Sequence, residues 1–229
     1  MNKSQEGKYF SLFEIVLWSF SVFLLLSSFL IFDRSNYLSL TASLIGVTSI
    51  LLSAKGNPIG QLLMILFSCI YGYISYRVAY YGEMITYLGM TMPMAVFALI
   101  SWLRHSYKGK RSLVAVNHLS RKEVLLVIPL SAAVTVVFFF ILKYFNTANL
   151  YPGTLSVTTS FLAVYLTFRR SPYFSFAYAL NDIVLIILWT LPSMSDSKYI
   201  PVLVCFTAFL VNDIYAFISW RIMSKNQSE

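Results

Sequence analysis

Charge is scarce in this sequence. Only 11% of its 229 residues are Asp, Glu, Lys or Arg, against about 25% in a soluble domain. Hydrophobic residues reach 58% and mean hydropathy is +0.72. An ordinary cytosolic enzyme and a disordered chain are both excluded. Cysteine is nearly missing as well. Cys69 and Cys205 both lie in apolar runs and make no disulfide framework and no metal-binding pattern, so they read as core filler. Histidine is limited to His105 and His118. There is no His-Glu-x-x-His, no Gly-x-Ser-x-Gly and no Walker loop. The sequence therefore predicts no catalytic residue, no metal site, no cofactor and no ATP drive within this chain.

What is there is apolar sequence in long runs. Spans are placed at about 12–31, 37–53, 58–79, 84–103, 123–143, 153–168, 172–191 and 199–221, because a helix needs about 20 residues to cross a hydrocarbon core. The expected fold is an all-α membrane protein of about eight transmembrane helices, a single integral membrane domain over 1–229. A barrel is disfavoured, since the runs are continuous rather than alternating. Pro58, Pro152, Pro172 and Pro201 stand at span starts, where a missing N–H costs nothing. Pro192 falls just after an end, and Pro93 predicts a kink in the fourth span. Lys3 and Lys8 before the first run imitate a signal peptide. The run is too long for one and no small-residue cleavage site follows, so it reads as a retained helix.

Positive charge exceeds negative, 17 Lys and Arg against 9 Asp and Glu. In a soluble chain a net +8 would suggest nucleic acid. Here it reads as loops facing anionic lipid, with no nucleic-acid partner. With eight spans and an inside N-terminus, only Arg34, Arg77, Lys143 and Lys198 of these 17 basic residues fall outside. The positive-inside rule then puts both termini in the cytoplasm.

A basic loop at about 104–122 divides the chain near its middle, and the two halves echo each other. Phe97-Ala98-Leu99-Ile100-Ser101-Trp102 matches Tyr215-Ala216-Phe217-Ile218-Ser219-Trp220 at a separation of 118. Asn57-Pro58 matches Ser171-Pro172 at 114, and Thr41 to Ile45 resembles Thr158 to Leu162 at 117. Spans 2–4 thus read as a first three-helix repeat (37–103) and spans 6–8 as a second (153–221). The basic loop and a linker helix (104–143) join them, and an extra N-terminal helix (12–31) precedes them. Both triplets start outside, so the repeats are parallel. Transporters built this way bind substrate at the repeat interface near the midplane.

Polar groups inside a membrane are functional candidates by default. Asp182 and Asp213 read as the only acidic residues deep in a span, about 12–15 Å from the inner helix ends. Each is the centre of an Asn-Asp-Ile triplet, Asn181-Asp182-Ile183 and Asn212-Asp213-Ile214. No Lys or Arg lies at that depth. Such a carboxyl accepts hydrogen bonds, is protonated, or faces a cation in a wet cavity. The plain alternative is interhelical hydrogen bonding. Gln61, Tyr71, Thr158, Phe174 and Tyr178 are further candidates for the cavity. Glu83 and Pro93 read as gate or structural residues. Trp102 and Trp220, at inner helix ends, read as aromatic-belt anchors or gate elements. A cavity with aromatic faces and carboxyls suits a planar, cationic ring.

Tyr71-Gly72-Tyr73-Ile74-Ser75-Tyr76, then Tyr81-Gly82-Glu83, Pro93 and Trp102 resemble the first half of the PnuC family, bacterial transporters of nicotinamide riboside. Arg169 to Trp189, with its Asn181-Asp182 step, resembles the later helices. The resemblance covers about 37–221. It implies a three-plus-one-plus-three arrangement like that of the sugar-transporting SWEET proteins, a homotrimer in the bacterial cytoplasmic membrane, and facilitated diffusion of an unphosphorylated nucleoside or vitamin that a cytoplasmic kinase then traps. On this view the substrate ring stacks near Phe174 and Tyr178. Asn181, Asp182, Asn212 and Asp213 hold the ribose and carboxamide or balance the pyridinium charge.

One departure concerns the substrate. Family members that take nicotinamide riboside show a Trp-x-x-Trp pair in the helix before the Asp, where this chain has Phe174-Ser175-Phe176-Ala177-Tyr178. Relatives carry thiamine, riboflavin and deoxynucleosides, so another nucleoside or vitamin is the alternative within the class. A proton-coupled carrier using Asp182 or Asp213 is a second alternative, and a non-transporting scaffold a third. An intramembrane enzyme with the two aspartates sharing a proton is the remaining one.

Overall fold

The computed structural model describes residues 9–147 and 149–228; Lys3 and Lys8 lie outside the described residues. It is helical almost throughout. The rods are α1 (Leu12–Phe32), α2 (Tyr37–Ala54), α3 (Ile59–Arg77), a broken fourth rod, α6 (Arg121–Tyr144), α7 (Leu150–Phe168), α8 (Phe174–Ser195) and α9 (Ile200–Ser228). The fourth rod joins α4 (Tyr81–Thr86), a π-helical turn (Tyr87–Thr91) and α5 (Met92–Arg104). Among the described residues, seven rods are long and apolar enough to cross a membrane. The eighth, α7, carries Ser156, Ser160 and Thr167, all buried. It packs against α5, α6 and α8, so its polar face meets protein rather than lipid.

Local chemistry sets the ends. Ser11 and Glu14 form a reciprocal capping box at α1, which satisfies two otherwise orphaned N–H groups. Asn36 caps α2 through the Ser39 N–H, and Ser120 caps α6 through the Glu123 N–H. Helices α2 and α7 both end in a left-handed residue, Gly56 (φ 68°) and Arg170 (φ 56°), 114 residues apart. Glycine takes that conformation without cost, while arginine does so against its Cβ.

The proline expectations divide. Pro93 sits in the first turn of α5, and the break appears before it as the π-helical turn. Proline offers no N–H to the carbonyl of Gly89 four residues back, and a widened turn absorbs the mismatch. Pro192 does not follow α8 but lies inside it. Its missing bond falls in the last turn, near the helix end. Pro129 lies inside α6, a position that the span assignment passed over.

The basic loop is not featureless. It folds as an antiparallel hairpin of β1 (Ser106–Tyr107) and β2 (Lys110–Val114). Lys108 and Gly109 turn it with φ of 48° and 75°. The hairpin docks on the end of the bundle: the Val114 N–H donates to Gly56 O at 3.0 Å and the Asn117 N–H to Arg170 O at 3.0 Å. It is thus tied to the ends of both α2 and α7.

The helices α2 to α5 form one group of contacts and α7 to α9 another. α2 packs on α3, α7 on α8, and α8 on α9; between triplets, α2 meets α9 and α5 meets α7. α1 lies against α2 and α9, and α6 packs mainly on α7. The α2–α3 contact is backbone-close at Gly60, where an added Cβ would stand 2.7 Å from Ser53 N and 2.8 Å from Ser49 O. Gly60→Ala is expected to force the helices apart. Overpacking of this kind costs about 1–3 kcal/mol, visible as a lower midpoint of thermal unfolding in detergent.

Candidate functional site

Between the triplets lies a narrow cavity of about 30 Å³, walled by side chains from both. The first triplet supplies Ile50 and Ser53 from α2, Gln61, Met64 and Phe67 from α3, and Tyr87 and Thr91 from the π-helical turn. The second supplies Ser160 from α7, Phe174, Tyr178, Asn181 and Asp182 from α8, and Phe209 and Asp213 from α9. The triplets do not contribute alike. Met64 and Phe67 stand 114 residues before Tyr178 and Asn181, so two positions that are apolar in the first triplet are polar in the second.

Among the described residues no Lys, Arg or His lines the space. Asp182 and Asp213 are 3% and 4% exposed, and both line the cavity. Among the described residues no donor reaches Asp182 Oδ2. Asn181 is held from behind: the Thr159 and Ser160 hydroxyls donate to its Oδ1 at 2.8 and 3.0 Å. That leaves its N–H donors for the cavity. Gln61 is oriented by an Nε2 donation to Ser53 Oγ at 3.2 Å. Two faces of the arrangement follow: fixed amide groups that read polar edges, and a carboxyl pair that attracts positive charge.

The structure brings together Gln61, Phe174, Tyr178, Asn181, Asp182 and Asp213 of the sequence candidates. Three others point elsewhere. Asn212 donates to Ser21 Oγ of α1 at 2.9 Å and to Ala208 O at 2.8 Å. Asn212 thus turns to α1, while Asp213, about 100° further round the helix, lines the cavity. Thr158 lies 2.7 Å from the Thr135 hydroxyl of α6. Tyr71 lies beyond the cavity wall, accepting from Trp189 Nε1 at 2.7 Å.

Two tryptophans correct the expectation of belt anchors. Trp102 and Trp220 are fully buried, with ring centroids 5.3 Å apart. Each clamps the opposite triplet. Trp102 Nε1 donates to Thr167 O at 2.9 Å and Trp220 Nε1 to Ser53 O at 2.7 Å. The preceding serines repeat the pattern, Ser101 Oγ to Phe168 O and Ser219 Oγ to Ala54 O. Donors 118 apart thus meet acceptors 114 apart. Phe174 and the hairpin residue Val114 complete this cluster, closing the cavity toward the basic end. At the far end the Tyr71–Trp189 bond joins α3 to α8.

Sequence reasoning also undercounted the buried carboxyls. Glu14 is 2% exposed; it pairs with Lys55 at 3.1 Å and accepts from Tyr215 Oη at 2.6 Å. Glu83 is 3% exposed and accepts from Ser156 Oγ at 3.1 Å. Both stand near span ends, where depth along the helix says nothing of burial by a neighbour. Of the two cysteines, Cys205 is buried, while Cys69 is exposed on the bundle surface and fills no core.

Comparison with known proteins converges on one family. The family described as "Nicotinamide mononucleotide transporter" matches residues 36–222. The nicotinamide riboside transporter PnuC of Neisseria mucosa is 24% identical over 202 residues, which cover 86% of this chain and 77% of that protein. The crystal structure of the vitamin B3 transporter PnuC matches with a TM-score of 0.84 at 22% identity, over 95% of this chain and 94% of that one.

Proposed function

The chain belongs to the nicotinamide mononucleotide transporter family, and from that premise we propose that it carries nicotinamide riboside across the bacterial cytoplasmic membrane by facilitated diffusion. As a member of that family it is a multi-pass membrane transporter and not an enzyme.

One observation carries the choice of substrate. Among the described residues the cavity presents two carboxyls and no basic side chain. A phosphate there would meet like charge and no cation, an arrangement that costs rather than binds. The unphosphorylated riboside brings a pyridinium, whose charge the aspartates balance and whose ring stacks on Phe174 and Tyr178 once the cavity opens. Asn181 and Gln61 supply polar contacts for the carboxamide and ribose. The absent Trp-x-x-Trp pair favours a second reading, thiamine, which is also a cation with a planar ring.

Transport needs the cavity to open to each side in turn. The Trp102–Trp220–Phe174–Val114 cluster closes it toward the basic end, and the Tyr71–Trp189 bond stands on the other side. Lys55, Arg104, Arg169, Arg170 and Arg221 gather at the basic end, which supports a cytoplasmic position for it. The resemblance alone carries the homotrimer and the kinase that would trap incoming riboside.

Uptake into proteoliposomes tests the reading. Labelled nicotinamide riboside should enter saturably without any ion gradient, and an enclosed kinase with ATP should raise its accumulation. Unlabelled mononucleotide should compete poorly. Strong competition by the mononucleotide, or a requirement for a proton gradient, would refute the proposal. Uptake blocked by thiamine alone would move the specificity to thiamine.

A further inference from the structure

A second polar pocket lies at the far end of the molecule from the basic loop. Tyr80, Gly82, Glu83, Thr147, Gly153 and Leu188 line it. Glu83 is 3% exposed, and its Oε2 has no partner among the described residues. The Thr147 hydroxyl, in the same wall, has none either. Two unpaired polar atoms in one pocket are costly and point to a ligand. The pocket does not stand alone. Tyr71 and Tyr87 pack together with ring centroids 4.5 Å apart, and Tyr87 also lines the central cavity. Tyr80 packs on Trp189 with centroids 5.0 Å apart, and Trp189 on Tyr71 at 6.3 Å. Aromatic faces with one carboxyl therefore extend from the outer end to the cavity.

We propose that Glu83 is a second anionic station, which holds the positive charge of the substrate on its way between the outer end and the central cavity. The inference rests on the reading of a cationic substrate. Aromatic faces attract a cation along the path, and the free Glu83 oxygen gives it a counter-charge. Because the station lies outside the cavity, it sets the rate of passage and not the affinity of the central site.

Glu83→Gln is the test, since glutamine keeps an oxygen for Ser156 and removes the charge. The maximal rate of nicotinamide riboside uptake into proteoliposomes should fall about tenfold, a loss of about 1.4 kcal/mol. Equilibrium binding to the purified variant should change less than about twofold, which a merely structural role would not spare. Uptake of the neutral dihydro form of the riboside should not slow with it. Unchanged uptake of the cation, binding lost along with rate, or equal slowing of both forms would each overturn the proposal. So would a sodium requirement that Glu83→Gln abolishes, which would make the pocket an inorganic cation site. If the wild-type protein fails to bind the cationic riboside, the underlying reading falls, and the station falls with it.

Discussion

Asp182→Asn is expected to weaken nicotinamide riboside binding about 100-fold, a loss of about 2.7 kcal/mol. The reason is the cavity's charge inventory. Two carboxyls line it, and among the described residues no Lys, Arg or His does. A unit positive charge about 4 Å from a carboxylate gains about 4 kcal/mol at an effective dielectric near 20. Part of that is offset in the variant, because asparagine also relieves the repulsion from Asp213. Asp213→Asn should act in the same direction. The double variant should lose less than the sum of the two, since residues that share one ligand charge do not add. Titration calorimetry on detergent-solubilised protein gives the affinities directly. Unchanged riboside affinity in Asp182→Asn would remove charge balance as the basis of recognition. A neutral deoxynucleoside should be indifferent to the same substitution.

Trp220→Ala should be the most destabilising single change at the basic end. Its ring lies between Trp102 and Phe174, at centroid distances of 5.3 and 4.8 Å. Its Nε1 bonds the Ser53 carbonyl. Emptying a buried Trp site costs about 3–5 kcal/mol, and the bare carbonyl adds to it. Trp220→Phe separates the two contributions, since it keeps most of the ring and drops the hydrogen bond; about 1–3 kcal/mol is expected. Thermal unfolding in detergent reads both. Trp102→Ala should behave alike, because it makes the matching bond to Thr167. Since the two rings touch, the double alanine variant should fall short of additivity. Phe174 rests on this cluster and also lines the cavity, so riboside binding should weaken in Trp220→Ala before the protein unfolds.

The gross architecture was legible because a bilayer imposes one dominant rule. Backbone polar groups in hydrocarbon must be satisfied within the segment, so continuous apolar runs become helices. The ends of several runs were visible in prolines such as Pro58, Pro172 and Pro201, while the caps Ser11 and Asn36 emerged from the structure. The echo of Ser101-Trp102 in Ser219-Trp220 was legible too. Its meaning was not: a Trp at an inner helix end reads as an interface anchor until the opposite triplet is seen to supply its acceptor.

The site divides in the same way. Asp182, Asp213 and Asn181 stood out because polarity in an apolar run is rare and expensive. Depth along a helix is set by sequence, at about 1.5 Å per residue, so their level in the membrane followed. Azimuth is set by neighbours. Asn212 adjoins Asp213 in sequence yet turns to Ser21 of α1. Thr158 turns to α6, and Glu83, near a span end, is buried by the approach of α7. Composition and periodicity thus determined the class of protein, its spans and the depth of its charges. Which polar groups share one cavity, and what closes it at each end, was decided only by helix packing, because contacts between residues more than a hundred positions apart leave no local trace in the chain.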